Sequence, residues 1–147
     1  MDTRTKYIIG FTGTQLGCVG PQRLALEATL SDWRPHVLHA VHGCCVGADA
    51  EFDDILVRLG VPRVLRPSDI EHKSVACERV GVVVARYAPA EPLARNRRIV
   101  DDCNILIACP RGPEEVRSGT WSTVRYARKR GRLHLVIWPD GTFAASW

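Results

Sequence analysis

Two segments carry side chains suited to holding an anion. Arg117-Ser118-Gly119-Thr120-Trp121-Ser122-Thr123 places hydroxyls and a glycine where a helix is expected to begin. The first amides of a helix lack intrahelical partners and its dipole favours negative charge, so one phosphate would be held there by backbone N–H groups and hydroxyls. A nearby arginine adds charge and paired hydrogen bonds. The plainer reading is a serine N-cap beside surface arginines. Arg95-Asn96-Arg97-Arg98 is the second segment, and both lie beside one apolar run at residues 105–108.

Two further loops are bracketed by glycine. In Gly10-Phe11-Thr12-Gly13-Thr14-Gln15, Gly13 lets a ligand approach the backbone and the threonine hydroxyls can donate to phosphate oxygens. The spacing is not the full G-x-G-x-x-G pattern, and a tight turn explains it equally. In His42-Gly43-Cys44-Cys45-Val46-Gly47-Ala48-Asp49, Gly43 and Gly47 frame a turn that delivers Asp49 to a helix start. Asp49 either serves that helix start or accepts ribose hydroxyls or activates a water. Glu114 and Glu115 are the other carboxylates open to a catalytic role. No metal is expected, because His42, Cys44 and Cys45 share one turn without a second pair of ligands.

The elements that must position these residues alternate strand and helix. Strands are expected at residues 7–12, 36–41, 61–65, 104–108 and 133–138, and helices at 21–30, 48–59, 91–101 and 119–130. Residues 67–92 resist assignment, apart from a short extra strand expected at 80–85. This alternation predicts a single α/β domain over residues 1–147, Rossmann-like, with a mainly parallel open sheet flanked by helices. Ligands bind such sheets at the carboxyl ends of the strands.

The ordered set of Gly-Thr-Gly-Thr, His-Gly-x-x-x-Gly-Ala-Asp, Arg-Asn and Ser-Gly-Thr resembles the SLOG superfamily, from Tyr7 to Pro139. That superfamily includes the DNA-processing protein DprA, the LOG phosphoribohydrolases and the YspA/cpYpsA-related proteins, and the last branch fits best. The resemblance implies a Rossmann-like fold, a nucleotide-type ligand and a homodimer or higher homo-oligomer. It also implies a pocket formed by Gly13 and Thr14, Gly43, Gly47 and Asp49, Arg95 and Asn96, and Ser118, Gly119 and Thr120; Gln15 and Arg117 flank these positions. One departure is informative. LOG enzymes carry Pro-Gly-Gly-x-Gly-Thr-x-x-Glu, whereas Thr123 stands here where their glutamate would, and a hydroxyl cannot activate water as a carboxylate does.

Composition narrows the classes. The chain has 147 residues, 46% hydrophobic and 24% charged, which suits one ordinary globular core. Its apolar runs are too short to cross a bilayer, and Met1 to Lys6 lacks the pattern of a signal peptide. The six cysteines are scattered, so thiols in a cytoplasmic protein are expected rather than a disulfide framework. The net charge of +4 favours anionic ligands, with part of it in Arg125, Arg128, Lys129, Arg130 and Arg132.

The function expected is binding of a phosphate-bearing nucleotide or derivative, as a sensor or sequestering module, with no cofactor required and the base either stacked on Trp121 or set against the apolar strand ends. One alternative is an N-glycosidase acting on nucleoside 5′-monophosphates. The other is DprA-like binding of single-stranded nucleic acid through the basic cluster.

Overall fold

The apolar run near the amino terminus forms β1 (Tyr7–Gly13), whose central residues are buried as a strand covered on both faces by helices must be. The computed structural model describes residues 5–75, 77 and 80–146. After β1 come α1 (Gly20–Trp33), β2 (Val37–His42), α2 (Ala48–Leu59), β3 (Arg63–Leu65), β4 (Val83–Arg86), α3 (Pro92–Asp102), β5 (Ile105–Cys109), α4 (Gly119–Lys129), β6 (Leu133–Ile137) and β7 (Phe143–Ser146). The strands form one sheet in the order β4-β3-β2-β1-β5-β6-β7. All neighbours run parallel except the β6–β7 hairpin. The α/β Rossmann-like architecture is therefore the one expected.

Each helix lays an apolar stripe on the sheet. On one face Phe52 of α2 stacks on Phe11 of β1 with ring centroids 4.2 Å apart, among Leu26, Leu30 and Ile55. On the other, Ile99 and Val100 of α3 and Ala127 of α4 cover Val41 and Leu106. Each large side chain fully buried in this way contributes about 1.5–3 kcal/mol. Between β2 and β3 lies a buried charged group. Arg63 is fully buried and its Nη1 donates to both Asp53 oxygens at 2.8 and 2.7 Å, while His42 Nε2 lies 2.7 Å from Asp53 Oδ1.

Three details differ from expectation. The extra strand falls at Val83–Arg86 rather than residues 80–85, because its pairing with β3 begins at Val83 and ends at Arg86. Residues 66–82 also hold a 3-10 turn at Glu71–Lys73. Finally, β6 is not the last strand. Asp140-Gly141 turns the chain back, Trp138 N donates to Thr142 O at 2.8 Å, and β7 adds an edge whose side chains are all exposed. Such a strand has no apolar alternation to announce it. Among the described residues, no helix is long and apolar enough to cross a membrane.

Candidate functional site

β1 and β5 are neighbours, and the chain winds outward in opposite directions from them. The loops leaving their carboxyl ends therefore diverge and open a crevice at the switch point. It is a cleft of about 470 Å³, within the range of small-molecule sites. Of the residues singled out above, Gly13, Thr14, Gln15, Asp49, Arg95, Asn96, Glu115, Arg117, Ser118, Gly119 and Thr120 line it.

One wall of the cleft is the start of α4. Ser118 Oγ accepts the Trp121 amide at 3.2 Å, and Ser118 O accepts the Ser122 amide at 2.8 Å. The serine is thus a true N-cap, and the amides of Gly119 and Thr120 are the helix-start donors that it does not engage. A Cβ placed on Gly119 would meet nothing within 4 Å, so the protein's own packing does not require glycine there. Arg117 is exposed, and no described residue hydrogen-bonds or ion-pairs with it.

The first loop is tied down by its own backbone. Thr14 N donates to Cys109 O at 3.0 Å, and Thr14 O accepts the amide of Ala48 at 2.9 Å. Thr14 Oγ1 accepts the Leu16 amide at 3.1 Å, which leaves its proton to donate. Gly13 is a packing glycine as well as a lining one, since a Cβ there would lie 2.5 Å from that of Ala48. Gln22 of α1 braces this end of the sheet, its Nε2 donating to Pro110 O at 2.9 Å and Ile137 O at 2.8 Å.

Gly43 and Gly47 shape the second loop from behind and do not line the cleft. A Cβ on Gly43 would collide with the Arg95 guanidinium, and one on Gly47, whose φ is +86°, with the Gln15 carbonyl. Asp49 Oδ2 accepts the amides of Gly43 and Cys45 at 3.2 and 3.1 Å, so this carboxylate buckles the turn that precedes α2. Burial pushes its pKa up, opposed by the neighbouring His42 and Arg95 and by the two amides.

Arg95 is less a ligand hook than a buried strut. Its Nη1 donates to Gly43 O at 2.9 Å and Arg66 O at 3.3 Å, Nε to Asn96 Oδ1 at 2.8 Å, and Nη2 to Cys45 Sγ at 3.4 Å. Four of the five guanidinium N–H groups thus have protein partners, while the charge still faces the cleft beside Asp49. Asn96 keeps its amide N–H groups free of this contact.

The fold is similar to that of DNA processing protein A. The structure of DprA from Streptococcus pneumoniae matches with a TM-score of 0.66 at 18% identity, over 91% of this chain and 50% of that one. DprA from Helicobacter pylori, described for its single-stranded DNA binding mode, gives 0.66 at 16% over 91% and 66%. The molybdenum cofactor binding protein from Rippkaea orientalis gives 0.65 at 20% over 92% and 78%. The chain spans half the length of the S. pneumoniae DprA. No protein-family model matches the chain, and no curated protein does. At these identities the likeness is one of fold alone.

Other candidates fall elsewhere. Glu114 is turned to the surface, 2.8 Å from Arg128 and 3.3 Å from Arg125, and outside the cleft lining. Arg128 and Arg125 hold its pKa down, as Arg111 does for Glu115. Thr123 Oγ1 donates to Gly119 O at 2.8 Å within the helix. Trp121 offers no stacking face, contrary to expectation: it is 3% exposed, packs on Trp138, and its Nε1 donates to Gly112 O at 3.2 Å. Lys73 and Arg111 line the cleft without having been singled out. Each is a lone cation in a polar loop, with no local pattern that points to the site.

Proposed function

We propose that this chain is a SLOG-type protein of the YspA/cpYpsA-related branch whose cleft binds a nucleotide or nucleotide derivative through its phosphate, as a sensor or sequestering module. The observation that carries this reading is the start of α4. Two helix-start amides border the cleft beside Arg117, with open space over Gly119. Lys73, Arg111 and the buried Arg95 add positive charge around the same volume. Thr14, through its hydroxyl proton, and Asn96, through its amide, are placed to bond the rest of the ligand.

Binding is better supported than glycosidic cleavage. Of the three carboxylates considered, Asp49 alone both lines the cleft and has a raised pKa, the property useful in a general acid or base, yet its Oδ2 already accepts two amides. Titration calorimetry with a panel of nucleoside mono-, di- and triphosphates, with chromatography of the same mixtures for free base, tests both readings. Measurable affinity without base release supports the module; base release supports the enzyme; neither contradicts the site.

One observation favours a second reading. Asn96 also borders a neighbouring depression of about 300 Å³ between α3 and α4, with Arg97, Arg125 and Lys129. A single strand could run from the cleft along this basic track, as a DprA-like reading requires. Ion pairs of Arg125 with Glu114 and of Arg130 with Asp101 reduce its positive field.

A further inference from the structure

We propose that His42, Cys44 and Cys77 bind one Zn²⁺ ion that clips the connection between β3 and β4 to the end of β2, behind the cleft. The donor atoms of these three residues all lie within 4.8 Å of one another, and the residues are 0%, 0% and 5% exposed. A tetrahedral ion holds such donors about 3.4–3.8 Å apart, so the donors must close by about 1 Å.

The backbone assembles this cluster. Val75 N donates to Cys44 O, and Val46 N to Lys73 O, each at 2.8 Å, while Cys45 forms an antiparallel bridge with Ser74. Arg63 Nη1 donates to Cys77 O at 2.7 Å. Cys44 adopts a left-handed backbone, φ 54°, unusual for a residue with a side chain. Consecutive cysteines then separate: Cys45 lines the cleft against Arg95, and Cys44 packs with Cys77.

The imidazole is oriented as in many zinc sites. Nε2–H points at Asp53 Oδ1, 2.7 Å away, a carboxylate–histidine relay that leaves Nδ1 with the lone pair. Nδ1 accepts the Cys44 amide at 3.0 Å; a metal takes over that lone pair, so binding requires the Cys44 amide to turn aside to another acceptor. Two thiolates and an imidazole form a soft donor set that selects zinc over magnesium or calcium. Charge also balances, because Zn²⁺ with two thiolates is neutral and Asp53 is already matched by Arg63. Binding releases the thiol protons to solvent, and water takes the fourth position. The sequence alone offers His42, Cys44 and Cys45 without a second half; in the fold, Cys77 supplies it and Cys45 leaves the set.

The test uses the full chain without a histidine tag. Zinc is measured by mass spectrometry after purification from zinc-supplemented medium, and the reduced, metal-stripped protein is titrated with Co²⁺. The proposal expects about one zinc per chain, and a thiolate-to-cobalt charge-transfer band saturating near about one equivalent. Added Zn²⁺ should abolish that band. Cys77→Ser should lower the band by about half, as one of two thiolates is lost, and Cys45→Ser should leave it unchanged. Wild-type protein with neither zinc nor a cobalt band overturns the proposal, whatever the variants do. So does a band retained in full by Cys77→Ser and lost in Cys45→Ser.

Discussion

Arg95 Nη1 donates to the Gly43 carbonyl at 2.9 Å, so a cation from α3 closes the turn after β2 from the cleft side. Arg95 and Arg117 both border the cleft, but only Arg95 is built into the fold. Arg95→Gln should lower stability by about 1–3 kcal/mol, since it leaves the Gly43 and Arg66 carbonyls without the guanidinium that bonds them. Arg117→Gln should change stability by less than about 0.5 kcal/mol and weaken a nucleotide roughly fivefold, about 1 kcal/mol. Urea denaturation and calorimetric titration of both variants separate the two roles.

Two glycines make a second contrast. Gly119→Ala places a methyl group in open cleft space, whereas Gly13→Ala drives one to 2.5 Å from Ala48. The first should leave the melting temperature within about 2 °C and reduce nucleotide affinity at least about tenfold, about 1.4 kcal/mol. The second should destabilise by about 1–3 kcal/mol through overpacking. Equal thermal loss in both would remove the argument that Gly119 serves a ligand.

These contrasts also mark how far the sequence is legible. The strand–helix alternation is readable because buried parallel strands are near-continuous apolar runs, and Ser118 is readable because capping is decided within four residues. Lys73 and Arg111 are not, since only the sheet order carries their loops to the cleft. Trp121 misleads for a related reason: its helical position fixes which way it points, and that face is the core. Cys77 lies in the one connection that local patterns do not assign.

The buried group beneath β2 gives a third expectation. Asp53 is the only partner accepting two bonds from Arg63 Nη1 among the described residues, and Arg63 is fully buried. Asp53→Asn leaves that guanidinium uncompensated and should cost about 3–5 kcal/mol, read as a lower urea midpoint with an unchanged slope.

Asp49 predicts a pH dependence. Its folded pKa is raised by burial, so above the unfolded value of about 3.9 the native state still holds a proton that the unfolded chain has released. Stability from this group therefore falls as pH rises from about 4 through the raised folded value, and is lost above it. Because other carboxylates slope the opposite way, the quantity to follow is the difference between wild type and Asp49→Asn. It should change across that window and be flat at higher pH; a difference that does not vary with pH contradicts the raised value.

The nucleic-acid reading makes its own demand. Binding along Arg97, Arg125 and Lys129 predicts a log–log salt slope of about −2, from roughly three neutralised phosphates on a single strand. Fluorescence anisotropy with a labelled oligonucleotide reads this slope. Undetectable binding at low salt eliminates that path.

Whether the α4 start grips a phosphate is read most directly from amide chemical shifts. In a ¹⁵N-labelled titration, a nucleoside 5′-monophosphate should shift the Gly119 and Thr120 amides strongly, and the matching nucleoside should not. Equal shifts from both ligands, or shifts confined to other residues, would contradict that grip.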